Sequence, residues 1–149
     1  MKALFLDDGG FTKEKILEYK HMIDEIPNLT YDFAVDTNRR NYPPNTIPNY
    51  QQRLEKSGPE GWIVPDKEVL EKIADVDILF VSYSGITEEI IKAGKNLKLI
   101  YLMRSGAENV NVEAATRHGV SVCVAASRLK EPVADMTVAL MLSECRGMV

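Results

Sequence analysis

Three short stretches of this chain hold the residue types that bind or turn over small molecules. Asp7 and Asp8 end the apolar run 2–6. Acids at that position hold Mg2+ in phosphoacceptor domains, but such a domain needs a further Asp after its third strand, and here Val81-Ser82-Tyr83 stands there. A phosphatase with an aspartyl nucleophile needs Asp-x-Asp, and these acids are adjacent. Turn chemistry favours reading Asp7-Asp8-Gly9-Gly10 as a turn. Ser82-Tyr83-Ser84-Gly85-Ile86-Thr87 brings hydroxyls and backbone N–H groups to the start of a helix, where an anion is favoured. The same residues also read as helix capping by Ser84 or Thr87. Arg104-Ser105-Gly106-Ala107 sets a guanidinium fork beside a tight turn, which suits a carboxylate. Its other reading pairs Arg104 with Glu108. Ser84, Gly85, Arg104, Ser105 and Gly106 are therefore the candidate anion-binding residues.

The remaining chemistry is sparse. His21 lies among charged helical residues and His118 precedes Gly119 as a cationic helix end. Neither stands at a strand's carboxyl end. No His/Cys cluster has metal-ligand spacing, and neither GxGxxG nor GxxxxGK[ST] occurs.

Residues so placed need strands beneath them, and the apolar pattern supplies five. Strands are predicted at 2–6, 31–35, 77–81, 97–102 and 120–124, with helices at 11–24, 66–74, 87–93, from Asn111 to Gly119, and 131–148. Thr12, Asp66, Thr87 and Asn111 are the expected N-caps. Residues 36–65, rich in Pro and Gly, read as irregular with a short helical turn at 51–56. Continuous apolar strands imply burial on both faces. The expected fold is α/β, a flavodoxin-like doubly wound five-stranded parallel sheet of order 2-1-3-4-5 with helices on both faces. Ligands in such folds sit at the strands' carboxyl ends, where all three stretches fall. The last helix is apolar around much of its circumference, so a partner or further domain is expected over the side the sheet leaves open.

With 149 residues, 45% hydrophobic and 27% charged, the chain has the composition of one soluble globular domain. A net charge of -4 offers no basic face for nucleic acid. No apolar run approaches the ~18 residues of a membrane span. Two cysteines, Cys123 and Cys145, make no disulfide scaffold and are expected as buried thiols in a reducing cytoplasm. On the residues alone, a ligand-binding enzyme domain, a non-catalytic binding or regulatory module, and a receiver-like domain all remain open.

Several linked motifs then narrow the choice. Leu97-Lys98-Leu99-Ile100, the run from Arg104 through Asn109-Val110-Asn111-Val112 to Ala114-Ala115, Gly119-Val120-Ser121-Val122, and Val133-Ala134-Asp135-Met136-Thr137 to Leu142 together resemble the N-terminal part of the D-isomer-specific 2-hydroxyacid dehydrogenases. The resemblance covers residues 75–146 in sequence and the first 65 in topology. It implies a substrate-binding domain at 1–130 and a long interdomain and dimerisation helix at 131–149. The NAD-binding Rossmann domain, with the Arg, Glu and His of hydride transfer, would lie beyond Val149. It further implies a small 2-hydroxy or 2-oxo acid as substrate and NAD or NADP as cofactor. Ser84, Gly85, Arg104, Ser105 and Gly106 would contact the substrate carboxylate, and Val133 and Thr137 would approach the nicotinamide. The chain alone would be inactive, and the whole protein a cytoplasmic homodimer through the last helix. The family's Asn-x-Pro-Gly stretch is Val124-Ala125-Ala126-Ser127 here, and the Asn that often follows is Leu129.

Overall fold

The structure, a computed structural model, describes residues 1–42 and 47–148. Pro43 and Pro44 of the proline-rich stretch, and Val149, lie outside the described residues. The elements are β1 (Lys2–Asp7), α1 (Lys13–Glu18), α2 (Lys20–Asp24), β2 (Thr30–Val35), α3 (Thr37–Arg40), α4 (Ile47–Ser57), α5 (Lys67–Lys72), β3 (Ile78–Val81), α6 (Glu88–Ala93), β4 (Leu99–Leu102), α7 (Val112–Arg117), β5 (Ser121–Val124) and α8 (Lys130–Cys145). A 3-10 turn, Ile73–Asp75, follows α5. The strands form one parallel sheet of order β2-β1-β3-β4-β5, as the pattern predicts.

Strand alternation divides the core. Leu4, Leu6, Leu79, Val81, Ile100 and Leu102 point to one face, where Val69 of α5, Ile90 and Ile91 of α6, and Ala114 and Ala115 of α7 cover them. Ala3 and Phe5 point to the other, with Ile16 of α1 and Ile23 of α2. Phe5 stacks on Phe80 with ring centroids 4.5 Å apart. Each fully buried aliphatic side chain contributes about 1.5–3 kcal/mol, so the first face holds most of the stabilisation.

Helices thus cover both faces, as expected, but unequally. α1 and α2 lie over β1 and β2, the second face of β4 is only half-buried, and β5 is largely exposed. An apolar groove of about 300 Å³ remains, lined by Phe5, Ile16, Phe80, Tyr101 and Met103 among others. β5 is an edge strand, and three of its four residues are exposed. Cys123 lies on it and Cys145 ends α8; both are exposed free thiols, not core residues.

Three further differences have local causes. The predicted helix at 11–24 breaks at Tyr19, whose φ and ψ of -102° and 18° leave the helical range. The stretch 36–65 is less irregular than its prolines suggest. Asp36 caps α3 through Asn38, and Pro48 falls in the first turn of α4, where its missing N–H costs nothing. Tyr50 and Leu54, four residues apart on α4, pack with Ile63 as a third small core. Finally, no residue of α8 is buried, whereas the sequence reading has the sheet cover one side.

The cap expectations divide. Thr12 and Asn111 accept from Lys15 N and Ala114 N at 3.4 and 2.9 Å. Asp66 and Thr87 occupy cap positions but make no side-chain cap bond. Asp66 instead accepts from the Thr37 backbone N–H and hydroxyl, tying α5 to α3. Among the described residues, no helix is long and apolar enough to cross a membrane.

Candidate functional site

The parallel sheet brings the carboxyl ends of β1, β2, β3 and β4 side by side, and the three stretches meet there. Asp7 and Asp8 form turns as predicted, each accepting the backbone N–H two residues on: Gly9 N to Asp7 Oδ1 at 3.1 Å and Gly10 N to Asp8 Oδ1 at 2.9 Å. Both acids also hold arginines from α3. Arg40 Nη1 lies 3.0 Å from Asp7 Oδ2, and Arg39 Nη1 lies 3.1 Å from Asp8 Oδ1. The Asp8–Arg39 pair is buried. Gly10 has no room for a side chain, because a Cβ there would run into the Arg39 guanidinium. With Asp8 bonded on both oxygens, to Gly10, Phe11, Arg39 and Tyr83, the site does not favour the receiver-like alternative. Among the described residues, no group of three or more His, Cys, Asp and Glu is placed to hold a metal ion.

The loop after β3, residues 82–87, is fixed from two sides. Asp8 Oδ2 accepts from Tyr83 N at 2.5 Å. Asn109 Nδ2 donates to Ser82 O and Ser84 O at 3.3 and 2.7 Å. Beyond the strands, Ile86 and Val110 re-form a parallel bridge, with Ile86 N donating to Asn109 O and Asn111 N to Ile86 O. The loops after β3 and β4 therefore bulge together and rejoin.

Ser84 and Gly85 occupy this bulge, but they are buried. Residues 59–63 cover them. A Cβ on Gly85 would lie 2.8 Å from Ile63 Cγ1 and 3.3 Å from Pro59 Cβ. Glu60 fastens this cover by accepting from Glu88 N at 2.6 Å and from Asn111 Nδ2 at 2.7 Å. Neither Ser84 nor Thr87 caps α6 through its hydroxyl; both hydroxyls are buried without a hydrogen-bond partner.

Beneath the loop lies a polar cluster that the sequence reading missed. Asp36 Oδ2, Tyr50 Oη, Ser84 Oγ and Arg39 Nε are all buried without a partner. Burial raises the Asp36 pKa above the ordinary carboxylate value, and the nearby Ser84 hydroxyl and Asn38 oppose that rise. Burial likewise raises Tyr50, with the Asp36 charge adding to it and the Gly85 N–H opposing it.

Arg104, in the loop after β4, is half-buried rather than buried. Its side chain is 14% exposed and pairs loosely, with Nη2 3.5 Å from Glu108 and 3.8 Å from Glu55. The pairing with Glu108 is thus present, yet Nη1 is buried without a partner. The Arg104 guanidinium lies 5.2 Å from the centre of the Tyr83 ring, and that of Arg39 lies 4.4 Å from it. Ser105 is exposed, and the Glu108 carboxylate lies close over Gly106. Val133 and Thr137 are not brought to this cluster. Both are exposed on α8, and Thr137 Oγ1 donates to Val133 O at 2.7 Å.

Asp8, Arg39, Tyr83 and Asn109 were thus absent from the predicted set. Asp8 and Asn109 fall within motifs the sequence displays, but their partners come from segments 25 or more residues away.

Fold and site together define a parallel α/β domain of flavodoxin-like topology with an arginine-bearing pair of loops at the strands' carboxyl ends. The model of the D-isomer specific 2-hydroxyacid dehydrogenase catalytic domain matches residues 43–144, and the chain belongs to that family. It is 39% identical over 82 residues to D-3-phosphoglycerate dehydrogenase of Methanocaldococcus jannaschii, covering 54% of this chain and 16% of that protein. It is 31% identical over 108 residues to 2-ketogluconate reductase of Gluconobacter oxydans, covering 69% and 34%. The fold matches NAD+-bound 3-phosphoglycerate dehydrogenase of Entamoeba histolytica with a TM-score of 0.63 at 19% identity, covering 96% of this chain and 38% of that one. The chain thus spans about a third or less of the curated relatives' lengths.

Proposed function

We propose that this chain is the substrate-binding part of a dehydrogenase that interconverts a 2-hydroxy acid and a 2-oxo acid, with NAD or NADP carrying the hydride. The observation that supports this best is Arg104: a guanidinium with one buried, unpartnered nitrogen between the loops after β3 and β4. An arginine fork suits a carboxylate bidentately. Ser105 and Gly106 stand beside it. Ser84 and Gly85 would join them once residues 59–63 move aside. The names of the family relatives agree, including glyoxylate reductase and 2-ketogluconate reductase.

The chain has no GxGxxG, and Val133 and Thr137 stand exposed on α8 with the Thr137 hydroxyl bonded to its own helix. A nucleotide-binding domain would hold NAD or NADP. In this reading α8 connects the domains and joins a second copy of the protein in a cytoplasmic homodimer, which together would cover its apolar surface.

Oxalate, a planar mimic of a 2-oxo acid, tests the site in the chain as it stands. Titration followed by backbone-amide NMR should perturb the amides of residues 84–85 and 104–106, and Arg104→Gln should abolish binding. A perturbation elsewhere, or none, would sink the reading. With NADH and glyoxylate, the chain alone should show no turnover.

A further inference from the structure

Asp7-Asp8-Gly9-Gly10 reads from the sequence as a plain turn, yet Asp8 does more than close it. We propose that Asp8, paired with Arg39, is a positioning residue that sets the loop after β3 and, through Tyr83, the Arg104 guanidinium. The inference rests on the anion-binding reading above.

Asp8 is fully buried, and its two oxygens divide their partners. Oδ1 accepts from Gly10 N at 2.9 Å, Phe11 N at 3.0 Å and Arg39 Nη1 at 3.1 Å. Arg39 Nη1 also donates to the Asp8 carbonyl at 2.9 Å. Those bonds fix the carboxylate plane and leave Oδ2 for one partner, Tyr83 N at 2.5 Å, across 75 residues of sequence. A charge-assisted bond of that kind is about twice as strong as a neutral one. The carboxylate is therefore aimed, and what it is aimed at is the amide preceding Ser84 and Gly85.

Tyr83 passes the constraint on. Its amide is held by Asp8, and its ring lies against both the Arg39 and Arg104 guanidiniums. Arginine stacks on aromatic faces, so Tyr83 gives Arg104 a surface to rest on where its ion pairs are loose. The turn after β1, α3, and the loops after β3 and β4 are joined in one chain of contacts that ends at the proposed carboxylate site. Arg39 also balances the Asp8 charge, so the acid can sit inside the site without opposing an incoming anion.

The test uses the 149-residue chain and oxalate. Asp8→Asn keeps the size and one acceptor oxygen but removes the charge. Hydrogen exchange at the Tyr83 amide should quicken about tenfold, the loss of one bond to a charged group, while core amides of β1 and β3 keep their protection. Oxalate affinity should fall by a similar factor. Ile16→Val, a core change on α1, should destabilise the chain without altering either readout. Unchanged Tyr83 exchange and unchanged affinity in Asp8→Asn would overturn the proposal, as would an equal loss of affinity in Ile16→Val. Should Asp8→Asn not fold, Arg39→Lys serves: it keeps a positive charge near Asp8 but removes the planar group from Tyr83, and an unaltered oxalate affinity there would overturn the role. If the parent chain binds no oxalate, the anion-binding reading fails instead, and Tyr83 exchange alone decides the role of Asp8.

Discussion

Asp36 and Asn109 show what single buried polar groups do here. Folding raises the Asp36 pKa by burial, so the unfolded chain releases that proton first as pH rises. The stability tied to this acid is complete below its unfolded value, about pH 4, and is lost as pH climbs through the raised one. Asp36→Asn keeps the acceptor for Asn38 N and cannot ionise. Urea unfolding across that window should show a declining midpoint for the parent and a flatter one for the variant. Asn109→Ala leaves two buried carbonyls, those of Ser82 and Ser84, without their amide donor. It should cost about 2–3 kcal/mol in the same measurement. Neither role could be read from residue type alone. Asn109 is visible as part of a motif, but its bonds run back to a loop 25 and 27 residues earlier. Ser84 and Gly85 were legible by their place after a strand. That they lie beneath Pro59 and Ile63 depends on packing between segments that local pattern does not encode.

Among the elements, α6 and α7 are linked through Glu88. Lys92, His118 and Arg117 together lower its carboxyl to about pKa 2, Lys92 contributing most. A direct NMR titration should find that midpoint, and Arg117→Ala with His118→Ala should move it toward the ordinary value, about 4.3. Because the shift is downward, the favourable pairing is present above that ordinary value and fades as pH falls toward 2. Earlier in the chain, Leu54→Ala in α4 should cost about 2–5 kcal/mol and increase hydrogen exchange at Gly85, since Leu54 packs with the Ile63 that covers it. Strands, parallel order and most helices were legible because each carries its own apolar period. α4 was legible only as a short helical turn at 51–56, because its buried side chains, Tyr50 and Leu54, face a small satellite core and the prolines around it read as breakers. β5 misled in the opposite direction: a continuous apolar strand looks buried on both sides, but as an edge strand it has too little helix above it.

For the molecule as a whole, the fold is complete on one face and open on the other. The excess apolar surface of α8 was legible in its composition; that the sheet covers none of it was not. Val133, Met136, Leu140 and Met141 are each 58–63% exposed. In our reading a second copy takes part in covering them, so sedimentation should show association that grows with concentration. Met136→Glu with Leu140→Glu should leave monomers with the folded core intact; equal association in both would count against that role for α8.

The way α8 leaves the sheet has a mechanical side. Sixteen residues make a rod about 24 Å long, joined to β5 through the turn at residues 125–129, with none of its residues buried. A swivel of roughly 10° at that turn would carry the far tip roughly 4 Å, about the width of an atomic contact. Backbone torsions just after β5 thus act with leverage, and a single-residue change at Ala126 or Ser127 would re-aim whatever rides on the rod far more than it would disturb the sheet.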